Sequence, residues 1–107
     1  MEIRYSAHGA YHHQYHVVWI PKYRKAILIK GQLKHYIEQH LNDISAYHPD
    51  IEIEKHSIQT DQVHLVIIIP PKHRVSEVVG MIKANTSREI RKQFDWLKKE
   101  YWRNEFW

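Results

Sequence analysis

An α+β sandwich with an antiparallel sheet is the fold class this sequence predicts, and three stretches predict it. The run from Val63 to Ile69 is apolar, rich in β-branched residues and stopped by Pro70-Pro71, which marks a buried central strand. Leu33, Ile37, Leu41 and Ile44 recur at helical spacing, so Gln32 to about Tyr47 reads as an amphipathic helix closed by His48-Pro49. Tyr11 to Ile20 is rich in strand formers and stops at Pro21. A chain of 107 residues and 13.1 kDa supports one domain with a single modest core, so residues 1–107 are read as one unit.

Taken in order, Met1 to Gly9 reads as a polar lead-in to the first strand. The loop Pro21-Lys22-Tyr23-Arg24-Lys25 then sets three cations around an aromatic ring, either as a solvated turn or as a nucleic-acid contact. The helical stripe, with Tyr36 and His40 beside it, should face a sheet. Ile51-Glu52-Ile53-Glu54 alternates as a half-exposed strand that runs to Ile58. A polar turn at Gln59-Thr60-Asp61 makes it the antiparallel partner of the central strand. On that central strand Gln62, His64, Val66 and Ile68 fall on one face, and Val63, Leu65, Ile67 and Ile69 on the other. Both faces are mostly apolar, so both are expected to be covered.

After the prolines, Lys72-His73-Arg74 is basic, and Ser76 is expected to cap a helix with the stripe Val78, Val79 and Ile82, weakened by Gly80. Thr86-Ser87-Arg88-Glu89 has the form of a capping box, so a second short helix is expected to start there and run to about Phe94. The tail from Trp96 to Trp107 mixes aromatic rings with charges, leaves room for a last strand, and has no polar terminator, as though cut short. Strand, helix, strand, strand, helix is the split βαβ order of a ferredoxin-like sandwich. Right-handed crossover then places the central strand between the other two.

Sixteen Lys and Arg against twelve Asp and Glu leave a charge of +4, with a pI near 9.3, which favours a polyanionic partner. Four tryptophans and seven tyrosines beside basic residues suit stacking on unpaired bases, although such rings also fill cores. With no cysteine, disulfides and thiolate metal sites are excluded, and a reducing compartment fits. No stretch is apolar enough to span a membrane and the N-terminus lacks the apolar core of a signal peptide, so a cytoplasmic protein without membrane contact is expected. Gln62 and His64, two residues apart at the start of the central strand, project side by side from its rim. They are the candidate site for holding a metal or a phosphate.

Four stretches together resemble a known family: Tyr15-His16-Val17-Val18-Trp19-Ile20-Pro21-Lys22-Tyr23-Arg24; Asp61-Gln62-Val63-His64-Leu65 with Pro70-Pro71; Lys83 with Ser87-Arg88; and Phe106-Trp107. They look like the ordered landmarks of the small single-tyrosine HUH transposases of prokaryotic insertion sequences, the TnpA-like proteins. The resemblance covers nearly the whole chain. It implies a ferredoxin-like homodimer that recognises hairpins in single-stranded transposon ends and cuts and rejoins that DNA in a prokaryotic cytoplasm. In such enzymes a tyrosine attacks the phosphodiester and stays joined to the 5′ side, while a divalent ion, magnesium or manganese, held by a His-hydrophobic-His pair and a glutamine polarises the phosphate.

Two departures from that pattern shape the expectation. Gln62 stands at the first motif histidine, leaving His64 with a neutral amide as its metal partner. The family's tyrosine lies on a further helix, after a strand that begins where this chain ends, with the glutamine ligand four residues beyond it. No residue here is therefore assigned as the nucleophile. Tyr36 sits on the core-facing helical stripe, and Tyr101, which a dimer could carry across, is better read as packing. His12, His13 or His16, on the neighbouring strand, could replace the missing ligand. The resulting expectation is a shortened, impaired transposase-family protein that keeps its hairpin-binding body and dimer interface. Lys22, Arg24, Lys25, Lys72, Arg74, Lys83 and Arg88 would contact phosphates, and Tyr23 would stack on a base. The alternatives are a nickase completed by a further C-terminal segment and a relic without DNA activity.

Overall fold

The computed structural model describes residues 2–7, 13–21, 28, 32–97 and 107. Along them run β1 (Glu2–Ala7), β2 (His13–Trp19), α1 (Leu33–Tyr47), β3 (Glu52–Ile58), β4 (Val63–Ile68) and α2 (Val75–Gln93). The four strands form one antiparallel sheet in the order β1-β2-β4-β3. With β4 between them, β2 and β3 run parallel and are joined through α1, which is the expected split βαβ unit. The hairpin of β3 and β4 is as expected, with one irregularity between Ile53 and Lys55.

Alternation along β4 decides which side of the sheet carries the core. Val63, Leu65, Ile67 and Ile69 are buried to within 1% of complete, while His64, Val66 and Ile68 are half-buried. Val17 and Trp19 of β2 join the buried side, and so do Leu33, Ile37, Leu41 and Ile44 of α1, the same four residues whose spacing predicts that helix. Val78, Val79, Ile82 and Ile90 of α2 complete it. Both helices thus lie on one face. The expectation that both faces are covered does not hold for the described residues: the face bearing His64, Val66 and Ile68 stays partly open.

Three further differences have local causes. The lead-in is the edge strand β1, whose residues pair one for one with β2 from Glu2↔Val18 to Ala7↔His13. Its sequence is polar because an edge strand with one open face needs few apolar side chains. The two expected short helices are one, Val75–Gln93, started by Arg74 without a side-chain cap. Ser76 does not cap it, and Thr86 and Ser87 are buried on its core-facing stripe, where Val79, Ile82, Thr86 and Ile90 follow at helical spacing. Continuous packing outweighs the local capping signal. Finally, Trp107 packs edge-on against Trp19 at 5.7 Å between ring centres, and Trp96 and Trp107 both lie against the core. At these two positions the aromatic rings of the tail are half-buried against the core. The expected last strand, with Tyr101, lies outside the described residues. No described helix is long and apolar enough to cross a membrane.

Two substitutions test this packing. Ile67→Ala, at a fully buried position in the middle strand, should cost about 2–5 kcal/mol in denaturant unfolding. Gly80→Ala should add about 0.5–1 kcal/mol, because a methyl group there meets nothing within 4 Å and the helix interior favours alanine.

Candidate functional site

The open face gathers side chains from three strands. Gln62, just before β4, and His64, its second residue, stand two positions apart and are both half-buried. On β2, His16 pairs with Val66 and Val18 with His64, so His16 is the diagonal neighbour of His64 on the same face. Their ring centres lie 6.0 Å apart with planes tilted by 38°. Arg4 of β1, in register with His16, pairs with Glu2, and Gln14 reaches across to Glu54 at 2.9 Å. His13 points the other way, its ring 5.6 Å from that of Tyr5 on the helix side. Of the three neighbouring histidines, only His16 stands beside His64 among the described residues; His12 lies outside them.

Could these residues hold a divalent ion? Gln62 donates through Nε2 to Gln59 Oε1 at 2.9 Å, and the Gln59 N–H donates to the Gln62 backbone carbonyl, so the amide is anchored through its nitrogen. An imidazole nitrogen and an amide oxygen on one strand face are an acceptable partial donor set for a borderline or hard cation. Among the described residues no three His, Cys, Asp or Glu side chains converge on a metal position. Any ion there needs further donors from water or phosphate.

The four described cations expected to contact phosphates are not gathered round His64. Lys72 and Arg74 lie in the loop after β4, at the opposite end of that strand, and Lys83 and Arg88 lie on α2, across the sheet. Lys72 sits 3.4 Å from Asp50, Arg74 3.9 Å from Glu77, and Arg88 3.8 Å from Glu89 with a 2.7 Å bond to Asn85. All three are well exposed, and exposed pairs of this kind are weak enough to exchange a carboxylate for a phosphate. Lys83 is half-buried, and burial pushes its ammonium below the ordinary lysine value. Lys22, Tyr23, Arg24 and Lys25 lie outside the described residues.

No described tyrosine shares the face of His64. Tyr5 and Tyr15 meet with their rings tilted by 48° on the helix side of the sheet, and Tyr36 meets Phe94 edge-on at 5.5 Å between α1 and α2. Tyr47, at the end of α1, is 82% exposed. A groove of about 470 Å³, not expected from the sequence, runs between the helices, lined by Tyr36, His40, Asp43, Tyr47, Asn85 and Arg88 among others. Its signal was present: Tyr36, His40, Asp43 and Tyr47 recur at helical spacing beside the apolar stripe.

The split βαβ sheet with both helices on one face is a fold that this chain shares with a solved transposase structure. Residues 9–107 match the model of the family described as Transposase IS200 like, and the chain belongs to that family. It is 31% identical over 101 residues to the transposase for insertion sequence element IS200 of Salmonella typhimurium, and to that of Salmonella typhi. Those matches cover 94% of this chain and 65% of each relative, so the chain spans a little under two thirds of their length. The ISDra2 transposase TnpA of Deinococcus radiodurans is 25% identical over 107 residues, covering all of this chain and 75% of that one. A crystal structure of a Deinococcus radiodurans protein assigned as a transposase superposes with a TM-score of 0.80 at 25% identity, over 95% of this chain and 77% of the other.

The loop cluster has a pH signature. His73 Nε2 lies 2.5 Å from Asp50 Oδ2, and this hydrogen bond, with smaller help from Lys72, holds the Asp50 carboxyl below its ordinary value of 3.8. A depressed carboxylate contributes stability above its unfolded value that disappears as the pH falls through its folded one. Wild type should therefore melt above Asp50→Asn at neutral pH, and the gap should close below about pH 4 in a thermal melting series.

Proposed function

We propose that this chain recognises hairpins in single-stranded DNA at the ends of an insertion sequence and takes part, as a homodimer, in cutting and rejoining that DNA. The reading rests on one observation: in a chain of the IS200-like transposase family, His64 stands at the start of the central strand on the face the helices leave open, with Gln62 two residues ahead. A magnesium or manganese ion bound at His64 and Gln62 would supply Lewis-acid polarisation of a phosphoryl oxygen. The neutral amide of Gln62 is a weaker ligand than an imidazole, so the ion is held loosely and cleavage is slow for the family. His64 stands half-buried on the open face, and Gln59 holds the Gln62 amide through its nitrogen. Lys72, Arg74, Lys83 and Arg88, with Lys22, Arg24 and Lys25, supply phosphate contacts, Tyr23 supplies a stacking surface, and the charge of +4 supplies the long-range attraction.

Binding of a labelled DNA hairpin and of a random single strand of equal length, measured over a salt series without metal, tests this. The hairpin should bind more tightly, with log affinity falling linearly in log salt. Equal affinity for the two strands, or a flat salt response, would overturn the proposal. Arg88→Ala and Lys72→Ala should each reduce the salt slope by about one without changing the preference for the hairpin. Lys83→Met should weaken hairpin binding while leaving the melting temperature unchanged or slightly raised, since the folded protein gives up a partly desolvated charge.

A further inference from the structure

We propose that His16 takes the place of the imidazole missing at position 62, so that His16 and His64, from adjacent strands, hold one divalent ion together with the Gln62 amide oxygen. The inference rests on the reading of His64 as a metal position and says which residue completes it. A strand running Gln-Val-His can offer one imidazole on its open face. The second imidazole nearest to it is not on that strand at all but on β2, at the diagonal position. Diagonal neighbours on one sheet face are within reach of each other when the side chains are long.

The separation fits a shared ion. With metal–nitrogen bonds of about 2.0–2.1 Å and the ring centre about 1.1 Å further on, two imidazoles on one ion have centres about 5 Å apart at a tetrahedral angle and a little over 6 Å when opposed. The observed 6.0 Å lies within that span, and a small rotation of either side chain brings it to the tetrahedral value. The tilt of 38° shows that the two rings do not lie in parallel stacking planes. Around them, Arg4 faces the same side but is paired with Glu2, so its charge does not stand unopposed against a cation.

Two imidazoles and one amide oxygen are the same donor count that the resemblance implies for the family's site, and they set the order in which ions bind. Nitrogen donors favour cobalt, nickel and zinc over magnesium and manganese, following the usual order for divalent first-row metals. The site should therefore bind cobalt, nickel or zinc more tightly than magnesium or manganese, at two nitrogens and one amide oxygen, with its remaining positions open to water or a phosphate oxygen.

Cobalt titration of the purified protein, read by its visible absorption and by calorimetry, tests the assignment without reference to DNA cleavage. Wild type should bind one cobalt ion per chain, far more tightly than magnesium. His64→Ala and His16→Ala should each weaken cobalt binding at least tenfold, Gln62→Ala should weaken it less, and Gln62→His should tighten it. Circular dichroism and melting of each variant check that the fold is intact, and His16→Gln serves if His16→Ala does not fold. A tenfold effect at His64 with none at His16 overturns this inference and leaves the proposed function standing. No cobalt binding by wild type up to millimolar concentration, or no effect at either histidine, overturns it as well and removes the metal from the proposed function. Hairpin binding of the wild-type protein in chelator reports separately on DNA recognition.

Discussion

Everything in this structure depends on β4 being hydrogen-bonded along both edges. With β2 on one side and β3 on the other, its register is fixed at every residue from Val63 to Ile68. The side-chain period of a strand is two, so fixing Val63, Leu65 and Ile67 in the core also fixes His64 on the far face. A slip of one residue would bury an imidazole among aliphatic side chains and expose four large apolar groups, and no local rearrangement could offset that. The position of the candidate site is thus a by-product of hydrophobic burial. It needs no stabilising interaction of its own.

The two layers divide the work. Both helices spend their apolar stripes on one face, which leaves the other free for polar chemistry at the rim and for the half-buried Val66 and Ile68 further along. This division also separates charges. Attraction between exposed charges is screened over about 8 Å at physiological salt, so cations on α2 and in the loop after β4 form a separate electrostatic surface from the rim beside His64. A ligand touching both would have to pass round the edge of the sheet or be long enough to occupy both sides.

Asp50 shows how a loop can serve fold and ligand together. It ties the turn after α1 to the loop after β4 through His73 and Lys72, and that loop follows directly from the strand carrying His64. Lys72 therefore has two possible partners, a carboxylate of its own protein and a phosphate, and the exposed geometry lets either be used.

The sequence by itself determined the α+β class, the amphipathic helix from Leu33, the β3–β4 hairpin and the placing of the middle strand, because period and terminator are local properties written into consecutive residues. It also determined the family, through motifs short enough to read in a line, and singled out His64 and Gln62. It could not decide whether Glu2–Ala7 pairs as an edge strand, because a polar edge takes its order from a neighbour's hydrogen bonds rather than from its own side chains. Nor could it decide that α2 runs unbroken through Thr86 and Ser87, where burial against the core overrode a capping signal. Which of the two described histidines, His13 or His16, stands beside His64 was likewise a matter of register between two strands more than forty residues apart in sequence. Only the folded sheet, by turning His13 toward the helices and His16 toward the open face, settled that choice.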